Sequence, residues 1–127
     1  MSVTYRIEED VGLITLTLSG RVTAADIAEY VAASRVDPAF RNSMNRLVVV
    51  EGIEGFPQLP EVREITTRTH AGQPDPATRI AAVADTPLGL GMIAMFFGHW
   101  GLSEQYRLFD DVPSARAWLL SETMTPE

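Results

Sequence analysis

Apolar and polar residues alternate over two stretches at the start of the chain. Every second residue is apolar from Val3 to Glu8, and the same alternation returns from Ile14 to Ser19. A period of two residues is that of a β-strand with one face toward a core and the other toward water. Because the residues Asp10 to Gly12 favour a turn between these stretches, we expect a β-hairpin that ends at Gly20.

A helix is predicted directly after the hairpin. Thr23 and Asp26 have the spacing of a capping box, in which each side chain accepts a hydrogen bond from a free backbone N–H at the helix start. The helix is expected to run to about Arg35 and to close at Asp37, because Pro38 disfavours helical geometry in the residue before it.

Two uninterrupted apolar runs, Leu47–Val50 and Ile80–Ala84, predict strands that are covered on both faces, as in the interior of a parallel sheet. Gly52, Gly55 and Pro57 indicate a loop after the first run. The remaining predicted elements are a helix from Pro60 to about Ala71, a helix capped at Thr86, a strand at Tyr106–Phe109 and a helix capped at Asp111.

The order of these elements is ββαβαβαβα. Parallel neighbouring strands need crossover helices, and such crossovers are almost always right-handed. We therefore predict a single α/β domain over residues 1–127, with a mixed, mostly parallel sheet that begins with a hairpin and has helices packed on it.

Composition narrows the chemistry. The chain of 127 residues is 46% apolar and 21% charged, which is typical of one soluble domain. It has no cysteine, and all ten basic residues are arginine. Disulfides, thiolate metal sites, cysteine nucleophiles, Schiff-base chemistry and a phosphate-loop lysine are therefore excluded. We expect no cofactor.

Net charge limits the classes of partner, and the lack of targeting signals indicates where the protein is located. A formal net charge of −7 disfavours nucleic acid and anionic membranes as partners. We find no signal peptide pattern at Met1 to Asp10, and no apolar run approaches the roughly 20 residues of a membrane span. We therefore expect a cytoplasmic protein.

The chain resembles a known superfamily over nearly its whole length. The features that carry the resemblance are the hairpin ending at Gly20, the helix after Thr23, the step from Asp37-Pro38 and Phe40 into an apolar strand, the Arg79-Ile-Ala strand and, above all, the ending from Tyr106 to Leu119. They resemble the SpoIIAA-like superfamily, relatives of the STAS domains of sulphate transporters and of bacterial anti-sigma factor antagonists. The ending resembles that of small stand-alone members of uncertain function.

The resemblance does not extend to the superfamily's phosphorylation switch. In the phospho-switched antagonists a serine or threonine lies at the start of the second helix, just after the third strand. The corresponding stretch here, from Glu51 to Pro60, contains neither residue. Kinase-driven partner switching is therefore not expected.

Carboxylates follow three of the predicted parallel strands: Glu51, Asp85 and Asp110. Sites in open α/β sheets lie at the carboxyl ends of the strands, so a cation site or a proton-transfer pair is one interpretation. The other is that they are helix caps, because acidic residues are favoured at helix starts, and this one we prefer. We expect no catalytic residues and no metal here.

The segment from Pro87 to Leu102 contains no charged residue. On a helix, Gly91, Ala94 and Gly98 form one small-residue stripe, which we expect against the sheet, with large residues around the rest of the circumference. The predicted interface or apolar pocket consists of Met92, Met95, Phe96, Phe97, His99 and Trp100, with Met92, Phe96 and Trp100 pointing outward.

Three ways of covering this segment remain open: a second copy of the chain, an apolar ligand or a neighbouring loop. The leading hypothesis is a non-enzymatic, homodimeric binding or regulatory module that acts through protein–protein contacts. The alternative is a carrier of a small apolar or lipid-like ligand, since the superfamily's fold is similar to that of a lipid-carrying domain family. A third is an enzyme that uses Glu51, Asp85 and Asp110.

Overall fold

The structure is a computed structural model that describes residues 3–41, 43–58, 60, 61, 64, 78–100 and 106–121, with only the backbone described at 95–100 and 106. Its elements are β1 (Val3–Glu8), β2 (Leu13–Arg21), α1 (Ala24–Val36), β3 (Asn45–Gly55), β4 (Ile80–Ala84), α2 (Pro87–Trp100), β5 (Tyr106–Phe109) and α3 (Val112–Leu120). Pro60, Glu61 and Glu64 are helical, but most of the predicted Pro60–Ala71 helix lies outside the described residues.

The five strands form one sheet in the order β1-β2-β3-β4-β5. β1 and β2 are antiparallel, with Val3 opposite Leu18, and each later strand runs parallel to its neighbour. The predicted hairpin and the mixed, mostly parallel sheet are confirmed.

Each face of the sheet has its own apolar core. One core holds α1 and α2 against the sheet, and its buried residues are Leu18, Val22, Val50, Ile53, Ala82, Met92 and Ile93. The other holds α3, and its buried residues are Leu13, Leu47, Ala81, Val83, Ala115 and Leu119. Alternate residues of β3 and β4 thus serve opposite cores, which is why these strands lack a polar face.

The helix boundaries follow the predicted caps. The Asp26 backbone N–H donates to Thr23 Oγ1 at 3.2 Å, and the Thr23 N–H donates to Asp26 Oδ2 at 2.9 Å, so the capping box is present. The α1 helix ends at Val36 with Asp37 as its C-cap in extended geometry, as expected before a proline. None of the helices in the described part of the chain is long and apolar enough to cross a bilayer.

The predicted loop at Gly52 and Gly55 is wrong, because β3 continues to Gly55. Gly52 has φ of 58°, a left-handed conformation that glycine adopts without strain, and the pairing shifts register beside it, so that Gly20 lies opposite Ile53. The continued strand carries Ile53 into the first core, and the Val22 N–H donates to the Gly55 carbonyl at 2.9 Å. A bulge with a buried residue after it therefore extends the strand past the glycine.

An ion pair joins β1 to α3. Arg116 of α3 donates from Nη1 to Glu8 Oε1 of β1 at 2.9 Å, and Arg6 Nη2 lies 3.4 Å from Glu8 Oε2. The hydrogen bond from Arg116, together with the charges of Arg116 and Arg6, lowers the pKa of the Glu8 carboxyl below its usual value. Folding thus favours the ionised form of Glu8.

This ion pair predicts an acid-dependent loss of stability. A lowered pKa in the folded state stabilises above the unfolded pKa, about 4.3 for Glu, and the contribution is lost as the pH falls through the folded pKa. We expect wild type to exceed Glu8→Gln in free energy of unfolding by a constant amount above about pH 5, and this excess to vanish at lower pH. Urea denaturation across that range measures it, and an excess that does not change with pH would contradict it.

Candidate functional site

The α2 helix starts where the sequence predicts. The Gly89 N–H donates to Thr86 Oγ1 at 3.1 Å. Pro87 lies in the first turn, where backbone N–H groups have no acceptor within the helix, so the missing N–H of proline costs no hydrogen bond. The segment that begins here follows the carboxyl end of β4 and lies on the sheet face that also carries α1.

The orientation of α2 is the reverse of the predicted one. Met92 is 0% exposed and packs in the first core together with Ile93, whereas Gly91 and Ala94 are exposed. The expectation that Met92 points outward and that the stripe of Gly91 and Ala94 lies against the sheet is therefore wrong.

The physical reason lies in the strand beneath the helix. β4 presents Ala82 and Ala84 to α2, and two small residues leave space that Met92 and Ile93 fill. The close approach occurs at Gly89, where an added Cβ would come within 3.1 Å of Val50 Cγ1 and 3.2 Å of Ala84 Cβ. The alanines of β4 were the signal in the sequence that could have predicted this.

The outward face of α2 is apolar and uncovered by the described residues. Leu88 is 46% exposed and Leu90 is 40% exposed. Around the helix axis, the exposed residues Gly91 and Ala94 lie between these two leucines. We call these four residues the α2 outer face. On the same sheet face, one strand outward from β4, Leu108 of β5 is 51% exposed.

Five residues of the predicted interface or pocket cannot be placed in this way. The side chains of Met95, Phe96, Phe97, His99 and Trp100 lie outside the described residues, although their backbone continues α2. Their part in an interface or an apolar pocket stays a prediction.

The strand-end carboxylates have separate surroundings. Both Asp85 oxygens accept from the Gly52 N–H, at 3.1 and 3.2 Å, so Asp85 joins the end of β4 to the bulge in β3. Glu51 lies inside β3 and Asp110 follows β5, and both are exposed. In the described part of the chain, no three His, Cys, Asp or Glu side chains come together in a way that could hold a metal.

Helix capping, the preferred interpretation, applies to the neighbouring residue Asp111. Its Oδ1 accepts from the Ser114 N–H at 2.8 Å at the start of α3, and hydrogen bonds from the Ser114 backbone and side chain lower the pKa of the Asp111 carboxyl. Glu51 and Asp85 are not helix caps, because the first lies in a strand and the second bonds a strand bulge. The capping interpretation is wrong for these two residues.

Comparison with known proteins agrees with this architecture. The model of the SpoIIAA-like family matches residues 13–120, from the start of β2 to the end of α3. A solved structure with a TM-score of 0.61 is the crystal structure of an uncharacterized protein of the DUF3478 family, with a SpoIIAA-like fold, from Shewanella loihica PV-4. It is 16% identical, and the match covers 92% of this chain and 91% of that one.

A search of curated proteins finds no match. The likeness to the Shewanella protein is a likeness of fold, since its sequence identity is low. The family match, by contrast, spans β2 to β5 and all three described helices. This chain belongs to the SpoIIAA-like family.

Proposed function

We propose that this chain is a non-enzymatic SpoIIAA-like binding or regulatory module that works through protein–protein contacts, as a homodimer joined at the α2 outer face. The observation that carries the proposal is that this face exposes Leu88 and Leu90 on a helix segment without any charged residue. Monomeric proteins rarely expose contiguous apolar patches of large size unless they serve binding.

The shape of the face suits a second helix. An added Cβ on Gly91 would meet no atom within 4 Å, so open space lies above the backbone there. Small residues between larger ones let two helices approach closely, with Leu88 and Leu90 packing beside the crossing point. In a two-fold dimer each copy buries the same patch, so one apolar face is enough for both copies.

Charge favours this face over the rest of the surface. With a net charge of −7, two copies repel one another wherever acidic surfaces meet. The segment from Pro87 to Leu102 has no charge to desolvate or to oppose its counterpart. Association there avoids the cost of burying unpaired charges.

Regulation by phosphorylation at the start of the predicted Pro60–Ala71 helix has no support. The stretch from Glu51 to Pro60 has no hydroxyl, and Glu51 to Gly55 belongs to β3. A phosphate switch needs a hydroxyl that can take on nearly two negative charges at the partner surface. The module therefore acts through the contacts it makes rather than through this modification.

Light scattering of purified protein tests the proposal with Leu90→Glu and a matched control. Val36→Glu places the same charge at an 81% exposed apolar residue of α1. We expect wild type and Val36→Glu to be dimers. In Leu90→Glu the dissociation constant should rise about a hundredfold or more, because each dimer buries two new carboxylates.

Two results would contradict the proposal. One is equal dissociation constants for Leu90→Glu and Val36→Glu. The other is a monomeric wild type whose melting temperature rises with laurate, which would replace the dimer with the carrier of an apolar ligand.

A further inference from the structure

A groove lies on the opposite side of the sheet from α1 and α2. The α3 helix covers β3, β4 and β5 on that side, and the hairpin strands β1 and β2 extend beyond it. The space between α3 and the hairpin has a volume of about 320 Å³. None of its lining residues belongs to the Pro87–Leu102 segment.

Three threonines line the hairpin side of the groove. Thr4 lies directly opposite Thr17 in the antiparallel pair, and Thr15 lies two residues away on the same face. Their hydroxyls form no hydrogen bond with any other described residue. Each hydroxyl offers one donor and two acceptor sites to a molecule in the groove.

Two guanidinium groups stand over one carboxylate at the same place. Arg6 and Arg116 both line the groove, and both lie against Glu8, at 3.4 and 2.9 Å. One carboxylate against two guanidinium groups leaves a net positive charge there, on a chain whose overall charge is −7. A guanidinium carries five N–H donors, so these contacts leave donors unused.

Apart from Tyr5, the remaining residues of the lining are apolar. Leu47 and Val49 come from β3, and Val112 comes from the first turn of α3. Their side chains belong to the second core, where Leu47 is a buried member and the two valines are packed against it. An apolar surface next to convergent polar groups is the usual make-up of a small-molecule site.

We propose that this groove binds a small organic carboxylate with a short apolar body. The ligand's carboxylate accepts hydrogen bonds from Arg6 and from those Arg116 N–H groups that do not contact Glu8. The geometry suits it, because the guanidinium fork matches the two carboxylate oxygens. The apolar body of the ligand packs on Leu47, Val49 and Val112, and the threonine hydroxyls form hydrogen bonds with the ligand's polar end. This site is independent of the proposed dimer, since the two lie on opposite faces of the sheet.

Titration of the full chain with hexanoate, followed by amide chemical shifts in NMR, tests the proposal. We expect saturable shifts at β1, β2 and the first turns of α3. Hexanol has the apolar body without the negative charge, and inorganic phosphate has the negative charge without the apolar body. Neither should give saturable shifts at the same concentrations.

Three variants test the residues. Arg6→Gln should weaken hexanoate binding about tenfold, because it removes a charge-assisted contact. Thr17→Val, which keeps the shape and the strand preference, should weaken it severalfold. The control Arg41→Gln, at an exposed arginine away from the groove, should bind as wild type does.

Several results would overturn the proposal. They are a lack of saturable shifts up to about 10 mM hexanoate, equal effects of hexanol or phosphate, and an equal loss of affinity in Arg6→Gln and Arg41→Gln. None of these results depends on the oligomeric state that light scattering measures, so failure of this site and failure of the dimer are separate outcomes.

Discussion

Met92→Ala is expected to lower the free energy of unfolding by about 2–5 kcal/mol, the range for truncating a buried methionine. Met92 is 0% exposed and fills the space above the alanines of β4. Removing its side chain leaves a cavity that rigid neighbours such as Val50 and Ile53 cannot close. Urea denaturation at one fixed protein concentration measures the change.

The matched control is Val36→Ala. Val36 is apolar and helical but exposed, so its truncation should change the free energy of unfolding by no more than about 0.5 kcal/mol. Equal and small effects of the two substitutions would mean that α2 does not present Met92 to the sheet. The orientation of the α2 outer face would then be wrong as well.

Arg79→Ala is expected to cost about 2–4 kcal/mol of stability, since it removes two charge-assisted hydrogen bonds that a buried side chain makes near the end of α3. Arg79 is only 3% exposed. Its Nη1 donates to the Trp118 carbonyl at the end of α3 and to Ser121 Oγ, and its guanidinium lies 5.2 Å from the centre of the Trp118 ring. The Ser121 N–H and hydroxyl also donate to the Trp118 carbonyl, so Arg79 adds a charged donor to a helix end that is already capped.

Burial lowers the pKa of the Arg79 guanidinium below its usual value. Its Nε has no hydrogen-bond partner among the described residues. The side chain therefore holds its charge with little water, and its two acceptors near the end of α3 are what compensates for the lost hydration.

Arg107 provides the control for Arg79. Its guanidinium lies 5.6 Å from the centre of the same Trp118 ring, but the residue is exposed. Arg107→Ala should therefore cost less than about 1 kcal/mol. If thermal or urea denaturation gave equal losses for the two variants, stacking on Trp118 would account for the effect, and the hydrogen bonds at the end of α3 would not.

Local signals predicted most of the fold. Thr23 with Asp26, Pro38 and Asp111 each determine a helix end through one or two hydrogen bonds or a steric clash, so neighbouring residues suffice to place them. The Ile80–Ala84 strand has no polar residue at all, which is a signal of the same local kind. Residues close together in the sequence are therefore enough to predict such features.

Features that depend on distant residues were missed. The uniform apolarity of α2 has no period, so only the alanines of β4 determine which side packs inward. The extension of β3 depends on a register shift opposite Gly20. The burial and bonding of Arg79 were not predicted either, since its acceptors lie about forty positions further along the chain.

The groove was missed for a related reason. The alternation of Thr4 and Arg6 with apolar residues predicts a strand face turned to water, and that much is correct. The sequence does not show that the first turns of α3 lie beside this face and place Arg116 against Glu8. Four elements form the site, and α3 lies far from β1, β2 and β3 in the sequence.

The reactivity of a single thiol tests the central claim, that the α2 outer face joins two copies. The chain has no cysteine, so Ala94→Cys carries one thiol on that face, and Ala33→Cys carries one on the exposed side of α1 as a matched control. If the face joins two copies, the rate of alkylation at position 94 falls in proportion to the fraction of monomer as the protein concentration rises, while the rate at position 33 stays constant. Equal rates at both positions at every concentration, with an intact fold, would contradict the account.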